Sequence, residues 1–318
     1  MKTIAVLTSG GDSPGMNACI RSVVRYGISQ GLKVFGIRRG YDGLINDDIF
    51  PMNERSVGNI VHVGGTMLKT ARSKEFMTKE GLQKAVENLK SHEIDGLVVI
   101  GGDGSYRGAM ELSKMGITVA CVPGTIDNNL FYTDFTLGFD TAANTIANLI
   151  NNVRDTSVSH DRISVVEVMG AGCGDLALEA GLASGADVIL VPEVPWSIDD
   201  VCNKLVDGKK RGKQSSIIIL SEHVCDPNDL AKMVTQKTGI ECRTVILGHV
   251  QRGGSPSAFD RNLAMKCGAR AVDGLMQEES GATGYRGGKI IYVPIKEALN
   301  GKRKFNMEMY NLALRLSI

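Results

Sequence analysis

Asp127 is the residue whose type and position most directly suggest chemistry. It lies in a short polar segment, Pro123-Gly-Thr-Ile-Asp-Asn-Asn129, directly after the apolar run 117–122. Open α/β sheets place catalytic groups at the carboxyl ends of their strands. A carboxylate within hydrogen-bond reach of an alcohol can act as the general base in phosphoryl transfer. We therefore predict that Asp127 is a catalytic base, with Thr125 on the same side of the extended segment.

A second apolar run, 97–100, leads into the segment Gly101-Gly-Asp-Gly-Ser105. The glycines leave room for a bulky ligand, and Asp103 can hold Mg²⁺, which usually takes one or two carboxylates together with phosphate oxygens and waters. The alternative is that Asp103 only caps the following helix. A third segment, Thr8-Ser-Gly-Gly-Asp-Ser-Pro-Gly15, is typical of a phosphate loop before a helix, or simply of a tight turn.

Basic residues near the ends of predicted elements complete this set: they are Arg72, Arg162, Arg243 and Arg252, with His249 three residues before the last. Arginine suits phosphate because its guanidinium group is planar and always charged. Each of these residues taken singly is more often structural or solvated. The charge run 209–213 is interpreted as a solvated turn.

Composition excludes several classes of protein. The chain has 318 residues and a net charge of +1, which gives no electrostatic case for nucleic acid or membrane binding. No apolar stretch approaches the roughly 18 residues of a membrane span, and the apolar N-terminal run is too short for a signal peptide. The seven cysteines are odd in number and include no CxxC pair, which favours free thiols in a reducing compartment. We predict a soluble, cytoplasmic protein.

The order of elements predicts an α/β fold. Strands are predicted at 4–7, 34–37, 97–100, 117–122, 163–168, 188–191, 217–220, 245–247 and 290–293. Helices are predicted at 18–28, 82–89, 108–115, 141–153, 198–206, 229–235, 259–276 and 307–314. Alternating strands and helices are typical of parallel sheets with helices on both faces, and near-continuous apolar strands agree with burial on both faces.

Read together, these segments resemble the bacterial-type 6-phosphofructokinases over essentially the whole chain. The matching segments are 7–17, 64–66, 71–72, 98–105, 123–128, 154–156, 162–170, 173–175 and 248–256. The resemblance implies a phosphofructokinase-like fold of two doubly wound domains with mainly parallel sheets. Residues 1–138 with 252–304 would form the ATP-binding domain, and residues 139–251 with 305–318 the sugar-phosphate-binding domain.

The resemblance also implies a reaction, in which ATP-Mg²⁺ gives its γ-phosphoryl group to the 1-hydroxyl of fructose 6-phosphate. The implied catalytic residues are Asp127, Thr125 and Arg72. The implied ATP-binding residues are Gly11, Arg72, Ser73, Asp103, Gly104, Ser105 and Gly108, with Asp103 as the metal ligand. The implied sugar-phosphate residues are Thr125, Asp127, Arg162, Met169, Glu222, Arg243, His249 and Arg252, with Arg162 reaching the site from a neighbouring subunit.

Family members are tetramers, so the resemblance implies a homotetramer with active and effector sites at subunit interfaces. The implied effector residues are Arg21, Arg25, Arg154, Asp187, Arg211 and Lys213. Three positions depart from the family pattern here: Glu54 replaces an arginine, Asp187 a glutamate and Gln214 a lysine. Since Glu54 repels a phosphate that the usual arginine would attract, we predict altered allosteric control.

Two further departures concern catalysis. Asn129 stands where the family usually has an acid that helps to order the metal, and Ala171 stands where it usually has an arginine near the transferred phosphoryl group. Nearby groups such as Arg107 are candidates to compensate. Gly104 and Gly124 favour ATP, because pyrophosphate-dependent relatives carry Asp and Lys at these positions. The alternatives are a weakly active or non-catalytic paralogue, or a kinase of another phosphorylated sugar such as tagatose 6-phosphate or sedoheptulose 7-phosphate.

Overall fold

The computed structural model describes residues 1–317, which divide into two compact units. The first unit comprises Met1–Ile126, Leu130–Thr141 and Arg252–Arg303. The second unit comprises Asp127–Asn129, Ala142–Gln251 and Lys304–Ile318. The chain therefore passes between the units several times, and each unit has its own sheet.

The elements alternate along most of the chain. The strands are β1 (Thr3–Thr8), β2 (Lys33–Ile37), β3 (Ile49–Met52), β4 (Gly96–Gly101), β5 (Thr118–Pro123), β6 (Ile163–Val168), β7 (Val188–Leu190), β8 (Ser216–Ser221), β9 (Cys242–Ile246), β10 (Gly281–Arg286) and β11 (Lys289–Pro294). The α-helices are α1 (Met16–Ser29), α2 (Gly40–Ile45), α3 (Lys79–Ser91), α4 (Asp103–Lys114), α5 (Phe139–Ser159), α6 (Asp175–Ala183), α7 (Ile198–Lys210), α8 (Pro227–Thr238), α9 (Ala258–Met276), α10 (Ile295–Leu299) and α11 (Met307–Leu316).

The first unit is built on a seven-stranded sheet in the order β11-β10-β5-β4-β1-β2-β3. All neighbouring strands pair in parallel except at the two edges, where β3 runs antiparallel to β2 and β11 runs antiparallel to β10. Every residue of β1 is buried, and its side chains alternate between two hydrophobic clusters. Ile4 and Val6 belong to one cluster, and Ala5 and Leu7 belong to the other. The sheet is therefore covered on both faces.

The second unit has a four-stranded parallel sheet in the order β7-β8-β6-β9. All six residues of β8 are buried. Buried residues of α7 and α8, including Leu205 and Leu230, pack with β6 and β8 in one cluster. Burying one such aliphatic side chain contributes roughly 1.5–3 kcal/mol. The mainly parallel α/β architecture predicted from the sequence is confirmed.

Several local predictions were incomplete or wrong. Five elements were not predicted, because their sequences lack a long apolar run: they are β3, β10, α2, α6 and α10. Helix α4 begins at Asp103 rather than at 108, since its first turn is rich in glycine and polar residues. The charge run 209–213 is not wholly a turn: Lys209 and Lys210 form the last turn of α7, where the helix dipole favours cations.

Candidate active site

The first turn of α4 follows directly from the end of β4. Gly102 precedes the helix in an extended conformation, and its carbonyl accepts hydrogen bonds from the backbone N–H groups of Ser105 (3.0 Å) and Tyr106 (3.1 Å). Asp103, Gly104 and Ser105 therefore lie in the first turn of a helix and not in the loop that the sequence predicted. The N-terminus of a helix presents free backbone N–H groups, which suit a phosphate.

Asp103 is half-exposed and pairs with a residue of its own helix. The Nε of Arg107 donates to Oδ2 of Asp103 at 2.9 Å, and Nη2 donates to Oδ1 at 3.3 Å. Within residues 1–317 no group of three or more His, Cys, Asp or Glu residues could hold a metal ion. A single reachable carboxylate nevertheless fits Mg²⁺, whose other ligands are usually phosphate oxygens and waters. The residues present therefore suit a magnesium ion that arrives with its nucleotide.

The glycine loop between β1 and α1 lies directly beside this turn. The N–H of Ser9 donates to the carbonyl of Ile100 at 2.9 Å, which fixes the loop to the end of β4. A Cβ atom added at Gly101 would meet the Oγ of Ser105 and the carbonyl of Ser9, both at 2.5 Å. Only a residue without a side chain allows this close approach. The fold thus brings the glycine loop and Ser105 together.

Arg252 also lies at this loop. A Cβ atom added at Gly11 would meet Nη1 of Arg252 at 2.8 Å, so the guanidinium group lies against the backbone of Gly11. Both residues belong to the first unit. Sequence reasoning grouped Arg252 with the sugar phosphate and Gly11 with ATP. The structure places Gly11 and Arg252 side by side, so the guanidinium group would face a phosphate chain bound at the glycine loop.

Two aromatic residues explain the position of Gly108. The rings of Tyr41 and Phe76 stack with centroids 4.0 Å apart and an interplanar angle of 12°. A Cβ atom at Gly108 would come within 2.8 Å of Tyr41 and 2.9 Å of Phe76. Tyr41 donates through its hydroxyl to the carbonyl of Ser105 at 2.6 Å, and burial raises its pKa well above the usual value. This pair was not predicted from the sequence, because 35 residues separate its members and neither lies in a glycine motif.

Arg72 and Ser73 end an irregular segment that approaches the same loop. The hydroxyl of Thr70 donates to the carbonyl of Gly10 at 2.7 Å. Ser73 begins the next turn, where its Oγ accepts from the N–H of Phe76 at 3.3 Å. The segment that leads to Arg72 and Ser73 is therefore bonded to the glycine loop at the end of β1.

The turn that carries Asp127 is fixed on its first-unit side by backbone contacts. Gly124 donates to the carbonyl of Gly101 at 3.0 Å, and Thr136 donates through its hydroxyl to the carbonyl of Thr125 at 2.6 Å. Asp127 follows the buried Ile126. A Cβ atom at Gly124 would lie only 3.0 Å from Ile100 and from Met16, so a larger residue there requires a shift.

The next part of the turn, Asp127–Asn129, groups with the second unit. Asn128 has a left-handed backbone with φ of 52°, and it is buried. Its Nδ2 donates to Oδ2 of Asp175 at 3.4 Å. Asparagine tolerates a left-handed backbone better than most residues, so the chain can turn sharply at Asn128, directly after the predicted base.

The second unit contains a cavity of about 200 Å³ at the ends of β6 and β8. Its lining residues are Glu167, Val168, Met169, Glu222, Gly248, His249 and Gln251. Three of the predicted sugar-phosphate residues, namely Met169, Glu222 and His249, thus come together. Gln251 and Glu167 were not predicted. Gln251 is fully buried, and its side chain accepts from the N–H of Met169 at 3.1 Å and donates to the carbonyl of Gly248 at 2.9 Å.

Carboxylates shape the electrostatics of this cavity. Oε1 of Glu222 accepts from the N–H groups of Gly170 (3.0 Å) and Ala171 (2.7 Å), which holds the bend after β6. Ala171 is exposed and has a left-handed backbone with φ of 50°. Burial raises the pKa of Glu167 above its usual value, and the negative charges of Glu222 and Asp226 raise it further.

Arg162 and Arg243 do not line this cavity. Arg162 donates through Nη2 to the hydroxyl of Thr156 at 2.9 Å. Arg243 is 65% exposed, forms an ion pair with Glu241 and lines a separate hollow of about 510 Å³ between α8 and β9. The structure therefore separates these two arginines from the other sugar-phosphate residues of the second unit.

The predicted effector residues form two groups, one in each unit. In the first unit Arg21 donates to the carbonyl of Val57 at 3.2 Å, and Arg25 donates to the carbonyl of Glu54 at 3.1 Å. Burial lowers the pKa of Arg21, and the charge of Arg25 lowers it further.

In the second unit the buried Asp187 accepts from the N–H of Ile217 at 2.8 Å and forms an ion pair with Lys213. Arg154 donates to the carbonyl of Ser184 at 2.7 Å. Burial lowers the pKa of Lys204 beside this group; the charge of Asp187 opposes that shift, while Lys213 and Arg211 add to it. None of the helices within residues 1–317 is long and apolar enough to cross a membrane.

Comparison with known proteins agrees with this geometry. The family model described as phosphofructokinase matches residues 3–275. The chain is 57% identical over 319 residues to a protein of Alkaliphilus metalliredigens (strain QYMF) named ATP-dependent 6-phosphofructokinase, and 100% of both chains is covered. It is 56% identical over 318 residues, again with 100% of both chains covered, to a protein of Clostridium novyi (strain NT) with the same name.

Solved structures give the same result. A phosphofructokinase from Saccharomyces cerevisiae superposes with a TM-score of 0.90 at 36% identity over 100% of this chain, which spans 48% of that longer chain. A pyrophosphate-dependent phosphofructokinase from Marinobacter aquaeolei shares the fold, with a TM-score of 0.86 at 24% identity over 97% of this chain and 86% of that one. The chain therefore belongs to the phosphofructokinase family.

Proposed function

We propose that this chain transfers the γ-phosphoryl group of ATP to the 1-hydroxyl of fructose 6-phosphate, giving fructose 1,6-bisphosphate and ADP. The observation that carries the proposal is the 57% identity, over the full length, to an ATP-dependent 6-phosphofructokinase. The structure adds a hydrogen bond from Gly124, in the turn that carries Asp127, to Gly101 at the end of β4. Phosphoryl transfer depends mostly on positioning and charge neutralisation, which is what these residues can provide.

The first unit binds the nucleotide. The free N–H groups at the start of α4 and in the glycine loop face the phosphates, with Ser105 between them. Asp103 would hold Mg²⁺, which would supply positive charge to neutralise the nucleotide phosphates. Arg72 and Arg252 supply positive charge where the phosphoryl group moves.

Asp127 accepts the proton of the attacking hydroxyl. As the oxygen–hydrogen bond of the 1-hydroxyl breaks, its oxygen forms a bond to the γ-phosphorus, and the bond from that phosphorus to the β-bridging oxygen breaks. ADP leaves with that electron pair. The Asp127 carboxylate is placed by a turn whose preceding carbonyl, that of Thr125, is held by Thr136. A well-placed general base contributes about 10²–10⁴ in rate.

The second unit recognises the sugar phosphate. Met169, Glu222 and His249 line one cavity, where a carboxylate and an imidazole suit sugar hydroxyls. Arg162 and Arg243 lie outside it and would bind the 6-phosphate group of a substrate, in part across a subunit interface. We propose a homotetramer that works in the cytoplasm, supported by the family and by seven free cysteines in the chain. Light scattering that gives a monomeric mass would contradict the tetramer.

The choice of ATP over pyrophosphate follows from two glycines. A Cβ atom added at Gly104 meets nothing within 4 Å, so the space beside it is open to a nucleoside. Gly124, in contrast, packs closely against Ile100 and Met16, so the lysine found there in pyrophosphate-dependent relatives would require these neighbours to shift. An aspartate at the first position would fill the space that the nucleoside needs.

A second candidate function is that of a weakly active, regulatory paralogue. Ala171 favours it, because its exposed side chain brings no positive charge to the bend beside Glu222. Asn129 favours it also, since an amide carries no charge for ordering the metal. Arg107 lies on Asp103 and is the cation that could compensate.

Steady-state kinetics distinguishes these functions. The unaltered chain should turn over ATP and fructose 6-phosphate at about 1–100 s⁻¹. Activity found only after Asn129→Asp is combined with Ala171→Arg would support the regulatory paralogue instead. Tagatose 6-phosphate, sedoheptulose 7-phosphate and pyrophosphate belong in the same assay, and a clear preference for any of them would overturn the proposed substrates.

A further inference from the structure

The segment that leads to Arg72 has no helix or strand of its own. From residue 62 to residue 73 it consists of turns and irregular backbone. Buried backbone groups in such a segment still need hydrogen-bond partners, and side chains elsewhere must supply them. The position of Arg72 therefore depends on whatever holds this segment in place.

Asn17 supplies three of these partners with one side chain. Its Nδ2 donates to the carbonyls of Val63 at 3.0 Å and Gly64 at 3.1 Å. Its Oδ1 accepts from the N–H of Met67 at 2.7 Å. The residue is only 2% exposed, so water cannot easily replace these bonds. Both donors and the acceptor of the amide are used, which no other side chain of this size reproduces.

Asn17 lies in the first turn of α1, immediately after the glycine loop. The loop and the segment are joined nearby by threonines: the Oγ1 of Thr8 donates to the carbonyl of Lys69 at 2.9 Å and lies 2.9 Å from the Oγ1 of Thr66. Thr70 then reaches the carbonyl of Gly10. Asn17 is thus the most heavily bonded member of a contact zone between the glycine loop and the segment of Arg72.

We propose that Asn17 is a positioning residue for the nucleotide site, which fixes the segment 62–70 against the glycine loop and so sets the place of Arg72. The inference rests on the proposed function, because it assigns Arg72 to the phosphates of ATP. It also explains why a polar amide lies within the buried core beside β1, where an apolar residue would pack without hydrogen bonds.

The test compares Asn17→Ala and Asn17→Asp with Asn88→Ala. Asn88 is a matched control, since its Nδ2 donates to two carbonyls, those of Leu44 and Ile45, both at 2.9 Å. Removing Asn17 leaves partly buried backbone groups without partners and frees Arg72, so kcat/KM for ATP should fall about tenfold or more. The KM for fructose 6-phosphate should change little. Asn88→Ala should lower the unfolding temperature with an unchanged KM for ATP.

The variant Asn17→Asp tests the positioning role through the pH dependence of kcat/KM for ATP, which a purely structural role would not change. An ionised carboxylate keeps the bond from Met67 but repels the carbonyls of Val63 and Gly64, whereas a protonated carboxyl donates to one of them. The loss in kcat/KM for ATP, relative to the unaltered chain, should therefore shrink as the pH falls from 8 to 6.

Thr70→Val provides a second test should the Asn17 variants fail to fold. It removes the bond to Gly10 and should raise the KM for ATP severalfold. If the unaltered chain is active while the Asn17 or Thr70 variants keep its KM for ATP and kcat, the inference is overturned. If the unaltered chain itself shows no activity with ATP and fructose 6-phosphate, the proposed function fails instead, which is a separate result.

Discussion

The proposed nucleotide site of the first unit and the proposed sugar-phosphate site of the second unit are built in opposite ways. In the first unit, the buried side chains of Asn17 and Thr8 hold irregular backbone in place, and we expect backbone N–H groups to face the nucleotide. In the second unit the candidate cations are long arginine side chains that are at least partly exposed. Arg243 is 65% exposed, and the partly buried Arg162 donates through Nη2 to the hydroxyl of Thr156.

The two sites differ in how far their binding groups are already in position before a ligand binds. A backbone site held by buried hydrogen bonds is already in its binding geometry and loses little freedom on binding. An exposed arginine has many rotamers, and ordering it costs about 0.5–1.5 kcal/mol. If the proposed sites are correct, the first unit would therefore bind its ligand with a preformed frame, whereas the second would depend on its ligand to order Arg243.

The largest effect is expected at the turn that carries Asp127. Asp127→Asn should lower kcat by about 10²–10⁴ while the KM for fructose 6-phosphate changes little, because the amide cannot accept the proton. Asp134→Asn is the control, since that carboxylate accepts from the N–H of Gly287 at 2.8 Å in the same connection between β5 and α5. Steady-state kinetics at saturating ATP measures both. A loss in kcat below tenfold would remove Asp127 from the role of base.

The preformed character of the first unit can be tested through Asp260. This fully buried carboxylate accepts from the N–H groups of Gly138 (2.9 Å) and Thr141 (2.8 Å) at the start of α5. Burial raises its pKa to about 6, against an unfolded value of about 3.9. The folded form therefore holds the proton more tightly, so this stabilisation is full below about pH 4 and is lost as the pH rises through 6.

A pKa difference of two units corresponds to about 3 kcal/mol. In the unaltered chain the free energy of unfolding should therefore decrease by about that amount between pH 4 and pH 7, and Asp260→Asn should abolish this decrease. Denaturant titrations at several pH values measure it. Asp95 is a control whose pKa is shifted in the opposite direction, because hydrogen bonding from the N–H of Lys2 lowers it. Its contribution to stability is therefore lost as the pH falls, not as the pH rises. An unchanged pH slope in Asp260→Asn would show that the carboxylate is not held in a dry, preformed frame.

The exposed character of the second unit predicts a separation of binding from stability. Arg243→Ala should raise the KM for fructose 6-phosphate by about 10- to 100-fold, as expected for a lost charge-assisted hydrogen bond. The unfolding temperature should hardly change, since an exposed ion pair contributes at most about 1 kcal/mol. Lys232→Ala, on the same hollow, should leave both quantities unchanged. An unaffected KM would mean that Arg243 does not reach the sugar phosphate.

The smallest effect is expected at Gly104. Alanine there gains up to about 1 kcal/mol of helix stability, and its Cβ enters open space. The same methyl group should raise the KM for ATP a fewfold by narrowing the nucleoside space. Gly108→Ala should instead destabilise the fold, because its Cβ would meet Tyr41 at 2.8 Å. Equal losses of stability in both variants would contradict this account of the first turn of α4.

The sequence predicted the buried parallel strands well, because β1, β4, β5 and β8 are continuous apolar runs that need both faces covered. It missed β10, since Gly281-Ala-Thr-Gly-Tyr-Arg286 has little apolar character and is a strand through its pairing with β5 and β11. It also misplaced the start of α4, because two glycines near the start obscure a helix whose first turn is set by Gly102.

The roles predicted for Asp127 and Asp103 come from single residues within single motifs, and they stay predictions. The candidate site was not predictable where the effect depends on distant partners. The contact of Asn17 with Val63 spans 46 residues, and the stacking of Tyr41 on Phe76 spans 35. Gln251 lies inside a predicted motif, but its role emerges only from its two backbone bonds.

If Asp103 is the magnesium ligand, as proposed, its ion pair with Arg107 implies an exchange of partners during nucleotide binding. Both carboxylate oxygens face the guanidinium group, so an incoming divalent cation and Arg107 compete for the same atoms. Whichever cation holds the carboxylate, its charge remains neutralised. The displaced guanidinium group would then be available to the nucleotide phosphates, in a chain that carries alanine at 171. Magnesium binding at Asp103 would in this way free a positive charge that the ion pair otherwise occupies.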